Sequence, residues 1–376
     1  MGSANRSELE MLRETAASFA ANELLRDREE TDRFPFAPFW RDKVEKGWRM
    51  GLFTLTLPEE LGGGGQGVEA LAVVLDALGQ VDAGMGGIVL ANALAQEICL
   101  QAGAGGIFAG SIEDESALET LTACPAFDDP RFLRPSLRAD KRGGRWELRG
   151  RSEYVTLAGL AARMVLPALT GEPAGLSYFA CPRGETVDVS EPVISLGLRA
   201  CPSCDLEIKG AEALLLGEEG GGEAYFGAAY QRMLPAAAAL SAGVLKGSLR
   251  EALEYARQRR QGGREIVGWS EVRMILADMA VSAQEAELLV REACRAVDEG
   301  EPGWTLTARA ASIRVLDLAC EAAADGIQLL GGNGYMADYH QEKRFRDAVQ
   351  VQSFLGMQDM KRQEYAGLLV RDGLPW

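Results

Sequence analysis

The spacing of apolar residues changes twice along this chain, and that double change restricts the fold more than any other feature. Through about residue 115 the spacing is helical. Leu9, Leu12, Ala16, Phe19 and Leu24 or Leu25 share one side of a helix over 6–30, and further helices are expected at about 40–50, 68–81 and 87–101. From about Leu121 the pattern shortens into strand-like runs at Trp146–Arg151, Glu153–Leu157, Arg163–Leu169, Leu176–Cys181, Thr186–Val189 and Asp205–Lys209. Gly143-Gly144, Gly171, Gly184 and Gly197 punctuate them. After Gly217 to Gly222 the helical period returns, over about 223–260, 269–299, 304–330 and 341–370.

The expected fold is therefore α+β in three parts: an N-terminal helical domain over 1–118, a β-sandwich or barrel over 119–218, and a C-terminal four-helix bundle over 219–376. A chain of 376 residues is longer than single cores usually grow, which agrees with several packed units. The run Ala236–Ala239 with Ala242, Gly243 and Gly247 permits close helix–helix approach in the first bundle helix.

Charge and cysteine content exclude several classes. Lys and Arg total 39 against 55 Asp and Glu, a net charge of −16, which argues against a general nucleic-acid binder and against an anionic membrane surface. No uninterrupted apolar run approaches membrane-spanning length, and the first residues carry no apolar signal region. The seven cysteines are odd in number and scattered, so no disulfide framework is expected and a reducing cytoplasm is the expected location. Cys201-Pro-Ser-Cys204 lacks the second ligand pair of a structural metal site, so no metal is expected.

The stretch Gln328-Leu-Leu-Gly-Gly-Asn-Gly-Tyr335, followed by Glu342-Lys-Arg-Phe-Arg-Asp347, carries the most chemistry. Gly331, Gly332 and Gly334 leave a turn almost bare of side chains, so main-chain groups can approach a flat or phosphorylated ligand. The same glycines also suit a simple helix stop.

The helical–β–helical order together with this turn resembles the acyl-CoA dehydrogenase family over nearly the whole chain. Three further segments carry the resemblance: Gly51-Leu-Phe with Leu57-Pro-Glu-Glu-Leu-Gly-Gly63, Tyr255-Ala-Arg-Gln-Arg259 with Gly263, and Leu276-Ala-Asp-Met-Ala280. The resemblance implies a tetramer with FAD at the subunit interfaces. The flavin takes a hydride from the β carbon of an acyl-CoA while a carboxylate base takes the α proton. It also implies a role in fatty acid metabolism, with electron-transfer flavoprotein as a partner.

Carried over residue by residue, the resemblance divides. It implies that Arg259, Gln328 and Gly332, with Gly331 and Gly334 in the same turn, touch the FAD of a neighbouring subunit. Gly262 stands where a Phe usually accompanies the arginine. It implies that Thr156 donates toward this chain's own flavin, with Tyr154 replacing the usual Trp. The loop that cradles the flavin and the thioester corresponds to Thr122-Ala-Cys-Pro-Ala-Phe-Asp-Asp129, where Phe127 and two carboxylates suit a phosphate-rich ligand poorly. The two positions that carry the base in the family are Leu355 and Gln231, and neither can accept the proton. Arg232 matches a ligand-contacting arginine, while the Asp usual three residues earlier is Ala229. Asp359 and His340 are the candidates for a substitute base; Glu342 and Asp347 are expected to belong to the structural turn.

Three functions follow. The chain is a base-lacking subunit paired with a homologous acyl-CoA dehydrogenase chain, or a homo-oligomeric flavin enzyme acting as a monooxygenase, oxidase or reductase, or a non-catalytic binding protein on the same fold. A short segment over 102–120 is expected to leave the acyl site open.

Overall fold

The computed structural model describes residues 6–34, 39–109 and 121–373. Its N-terminal part holds helices α1 (Arg6–Phe19), α2 (Arg41–Arg49), α3 (Val68–Gly79) and α4 (Ala83–Gln101). The middle holds β1 (Thr122–Ala123), β2 (Arg138–Arg142), β3 (Arg145–Thr156), β4 (Arg163–Thr170), β5 (Gly175–Pro182), β6 (Val187–Val189) and β7 (Ser203–Leu216). Helix α5 (Gly222–Gln258) opens the C-terminal part. A hairpin of β8 (Arg260–Gln261) and β9 (Arg264–Glu265) follows, then α6 (Ser270–Glu299), α7 (Trp304–Leu330), α8 (Gln341–Gln352) and α9 (Gln358–Asp372).

The β part is barrel-like. Strand β4 pairs with β2 and with β5, and the ladder β2-β3-β7-β5 closes the ring. Strand β3 joins two runs expected as separate strands, with irregular pairing at Leu148/Arg149 and at Ser152/Val155. The expected boundary near residue 118 lies outside the described residues, as do most of segment 102–120 and the prolines Pro35 and Pro38.

Helix α4 is buried along nearly its whole length, which explains an apolar composition that matches membrane-spanning length. Asp82 caps it, accepting from the N–H groups of Gly84 (2.7 Å) and Met85 (3.3 Å). Helices α3 and α5 approach closely, as the small residues permit. A methyl group on Gly243 would lie 2.3 Å from the Asp76 carbonyl oxygen.

Two helices differ from expectation. The first stops at Phe19 and runs through a π turn, Ala20–Leu24, into irregular turns. The fourth bundle helix is not one helix over 341–370 but two, α8 and α9. Between them Leu355 and Gly356 adopt left-handed backbone (φ 60° and 90°), and the Leu355 N–H leaves the helical ladder to donate to the Ala126 carbonyl (2.9 Å).

Helix α8 locks the three parts together. Buried Lys343 pairs with Asp347 (2.7 Å) and with Asp82 at the cap of α4 (3.1 Å). Asp347 also accepts the Leu198 N–H of the β part at 2.7 Å. Arg344 donates to Glu251 of α5 (2.7 and 2.8 Å) and to the Gln80 carbonyl (2.9 Å), and Glu251 in turn meets Arg28 at 2.9 Å. Arg346 bridges Glu342 and Asp32 and donates to the Leu196 carbonyl (3.0 Å). The expectation that Glu342 and Asp347 serve the structure agrees with these contacts.

Burial alone would raise the pKa of Glu251, but Arg344, Arg28 and His340 outweigh it and hold the carboxyl at about 2. Its contribution to stability is complete above the ordinary glutamate value and disappears as the pH falls through about 2. Glu251→Gln is expected to cost about 3 kcal/mol at neutral pH, because it leaves Arg344 without its counter-charge. The gap from the parent protein should narrow between about pH 5 and about pH 2, measured by denaturant unfolding. A gap unchanged across that window would contradict the assignment.

Candidate functional site

The glycine turn forms one half of the site. Helix α7 ends at Leu330, and Gly331 (φ 59°) begins a 3-10 turn through Asn333. Gly334 is required by close approach, since a methyl group there would lie 2.3 Å from the Ile327 carbonyl oxygen. The Asn333 amide donates to the Tyr255 hydroxyl at 2.9 Å, and the Tyr255 ring meets Tyr339 edge-on. Tyr255 stands one helical turn before Arg259, where α5 ends, and the Arg259 N–H donates to the Tyr255 carbonyl at 2.8 Å. The structure thus joins the end of α5, with Arg259, to the end of α7, with Gln328, Gly331 and Gly332. All four residues are exposed. Gly262 turns the β8–β9 hairpin with positive φ, and Trp269, stacked beneath Arg264 at 3.7 Å, covers it. Tyr335, 69% exposed, leaves an aromatic surface beside the turn.

The other half lies around the break between α8 and α9. Thr156 ends β3, and its backbone pairs with that of Cys124, which brings loop 122–129 against the strand. Its buried hydroxyl shares a hydrogen bond with Ser203 (3.1 Å). Tyr154 has left-handed backbone, donates its N–H to Asp205 (2.9 Å) and accepts at its hydroxyl from Gln350 (3.1 Å). The Phe127 ring lies 5.3 Å from that of Tyr154 and 4.3 Å from that of Phe354. Leu355 is buried, with its N–H on Ala126. An apolar side chain, Leu355, therefore stands in a turn bonded directly to the loop.

Neither candidate substitute faces this turn. Asp359 is 87% exposed and pairs with Arg362 at 3.5 Å. His340 caps α8 from the other end and meets Glu29 at 3.2 Å. Gln231 and Arg232 lie apart, on an open depression shared with Gln101, Glu223 and Trp304. Arg232 pairs with buried Glu97 of α4 at 2.9 Å, so it serves the α4–α5 packing as well as any ligand. Among the described residues no cluster of His, Cys, Asp or Glu could hold a metal ion.

Sequence reasoning missed two basic side chains beside the turn, Lys361 buried and Arg131 half-buried. Arg131 grips Asp129, pairs with Glu364 (3.0 Å) and stacks over Tyr230 (4.5 Å), so the Asp129 carboxylate is already compensated. Lys361 donates to the carbonyls of Phe354 (2.7 Å) and Gln352 (3.0 Å), capping α8 and holding the turn. Neither sits in a recognisable motif; the signal would have been a lysine spaced to reach the preceding helix end.

With this geometry in view, two family descriptions match the chain: "Acyl-CoA dehydrogenase, N-terminal domain" over residues 6–104 and "Acyl-CoA dehydrogenase, C-terminal domain" over residues 222–366. The acyl-CoA dehydrogenase of Bacillus subtilis is 30% identical over 376 aligned residues, covering 94% of this chain and 95% of that protein. The chain belongs to the acyl-CoA dehydrogenase family. It is also similar to the caffeyl-CoA reductase–Etf complex subunit CarC of Acetobacterium woodii, at 26% identity across 96% of this chain and 98% of that one. The fold matches that of butyryl-CoA dehydrogenase from Megasphaera elsdenii with a TM-score of 0.89, at 22% identity, over 99% of this chain and 100% of that one.

Burial lowers the pKa of Lys361 to about 7, with Arg362 adding to the effect. Between the ordinary lysine value and about 7 the unfolded chain holds a proton that the folded chain lacks, so stability falls as the pH drops through that window. Lys361→Met removes this dependence. The parent protein should lose up to ~1.4 kcal/mol per pH unit relative to the variant on going from about pH 10 to about pH 7. Unpaired carbonyls in the variant shift its stability by a pH-independent amount, so the slope is the readout. Parallel profiles would contradict the burial of a neutral lysine.

Proposed function

We propose that this chain is the base-lacking subunit of a heteromeric acyl-CoA dehydrogenase assembly, and that its α5–α7 end holds the FAD of a homologous, base-bearing neighbour. The observation that carries this reading is the contrast between the two halves of the site. The end built on Tyr255 and Asn333 presents Arg259, Gln328 and the Gly331–Gly332 backbone to the outside. The half that would serve this chain's own substrate carries Leu355 where a proton acceptor is needed. When bound, FAD supplies the hydride acceptor for α,β-dehydrogenation of an acyl-CoA. The residues of this chain contribute a guanidinium and backbone donors for its phosphates. The proton is taken by the partner's carboxylate.

Further features support assembly. Met274, Val281 and Leu288, spaced by seven on α6, are 66%, 63% and 56% exposed, an apolar stripe suited to a helical partner. A dimer or tetramer built on this stripe would place a neighbour beside the β8–β9 hairpin that begins the same helix. The likeness to an Etf-complex subunit supports electron-transfer flavoprotein as the electron acceptor. The seven free thiols suit a cytoplasmic setting, and the acyl-CoA frame suits fatty acid metabolism.

The test is co-expression with homologous dehydrogenase chains, followed by flavin analysis of the purified assembly. Arg259→Ala in this chain should weaken FAD retention by about tenfold to a hundredfold, the range for one charge-assisted phosphate contact, while the assembly stays intact. Unchanged flavin content in an intact assembly would contradict the reading.

A further inference from the structure

The family frame puts this chain's own flavin between loop 122–129, the end of β3 and the turn at Leu355. In this structure those three segments meet one another. Phe127 stands between Tyr154 and Phe354, with ring centroids at 5.3 and 4.3 Å. The Leu355 N–H is donated to the Ala126 carbonyl at 2.9 Å, so the turn is bonded to the loop and does not stand away from it. The Thr156 hydroxyl, the group expected to face the flavin, is buried and engaged with Ser203. A side chain larger than hydrogen at Gly356 would lie 3.2 Å from the Asp129 side chain, which shows how closely turn and loop approach there. A tricyclic ring system needs a preformed slot, and here the slot is filled from within the chain.

We infer that the cleft of this chain is closed by its own aromatic side chains, with Phe127 as the plug, and that the chain holds no flavin there. The residues around the cleft do not fit FAD, whereas the exposed α5–α7 end does. This rests on the proposed subunit role and adds a rule of occupancy to it. Two copies of this chain offer two flavin-holding ends and no open cleft. Flavin is therefore bound only where the partner brings an open cleft of its own, and the partner is a chain of different sequence.

The first measurement uses the full chain alone. It is incubated with excess FAD, desalted, and its flavin absorbance compared with its protein content. The expected result is a trace of flavin; about one FAD per chain overturns the inference. In the assembly co-purified with a base-bearing homologue, the expected content is about one FAD per pair of chains, and about one per chain overturns it. Phe127→Ala, made in this chain within that assembly, should raise the flavin content above the pairwise value. A folded variant with unchanged content removes Phe127 from the role of plug. If no homologue co-purifies, or if Arg259→Ala leaves the flavin content of the assembly unchanged, the subunit reading fails, and the isolated-chain measurement still decides whether the cleft is closed.

Discussion

The buried ion cluster on α8 is the constraint on which the rest of this molecule depends. Lys343 joins Asp82 and Asp347, while Arg344 joins Glu251, so the N-terminal helices, the α5 helix and the β part meet at one helix of 12 residues. Burial opposes the charged form of each partner, and the cluster persists only because every charge is matched and hydrogen-bonded. The glycine turn lies immediately before α8 and the Leu355 turn immediately after it. Clamping α8 therefore sets both halves of the site at once, on opposite ends of a single rigid element.

The two ends of α8 have opposite characters. Before it, the backbone is bare and exposed, with Arg259 and Gln328 close by and a tyrosine on the surface. After it, the backbone is buried and committed. Leu355 N–H is bonded to the loop, Phe354 is packed against Phe127, and the carbonyls of Gln352 and Phe354 are held by Lys361. Leu355 pays for its left-handed backbone through this over-determined packing, since a bulky residue seldom adopts that conformation without strong local constraints. The Leu355 turn is therefore held by contacts from several segments and not by its own sequence alone.

Much of this was legible in the sequence because it follows from period and from glycine. The change from helical to strand spacing gave the three parts, and the Gly331–Gly334 turn gave the end of α7. That neither Leu355 nor Gln231 can accept a proton follows from their side chains alone. What escaped depended on contacts between distant segments. Strand β2 reads Arg-Ala-Asp-Lys-Arg, with a single buried residue, so no alternating apolar pattern marks it; its pairing with β3 makes it a strand. The break in the last helix rests on a bond from Leu355 to Ala126, and a leucine announces no left-handed turn. Lys361 and Arg131 resemble surface cations until the fold buries the first and half-buries the second. The plug could not be read because it needs Phe127, Tyr154 and Phe354 brought together from three segments.

The central claim is that this chain lends a flavin-holding end to a partner and keeps its own cleft shut. The most direct measurement is an experimental structure of the co-purified assembly with FAD. The account predicts flavin density at junctions between the partner's cleft and the Arg259, Gln328 and Gly331–Gly332 end of this chain, with Phe127 still packed between Tyr154 and Phe354. Flavin density beside Thr156 and Leu355 of this chain, with Phe127 displaced, would contradict it.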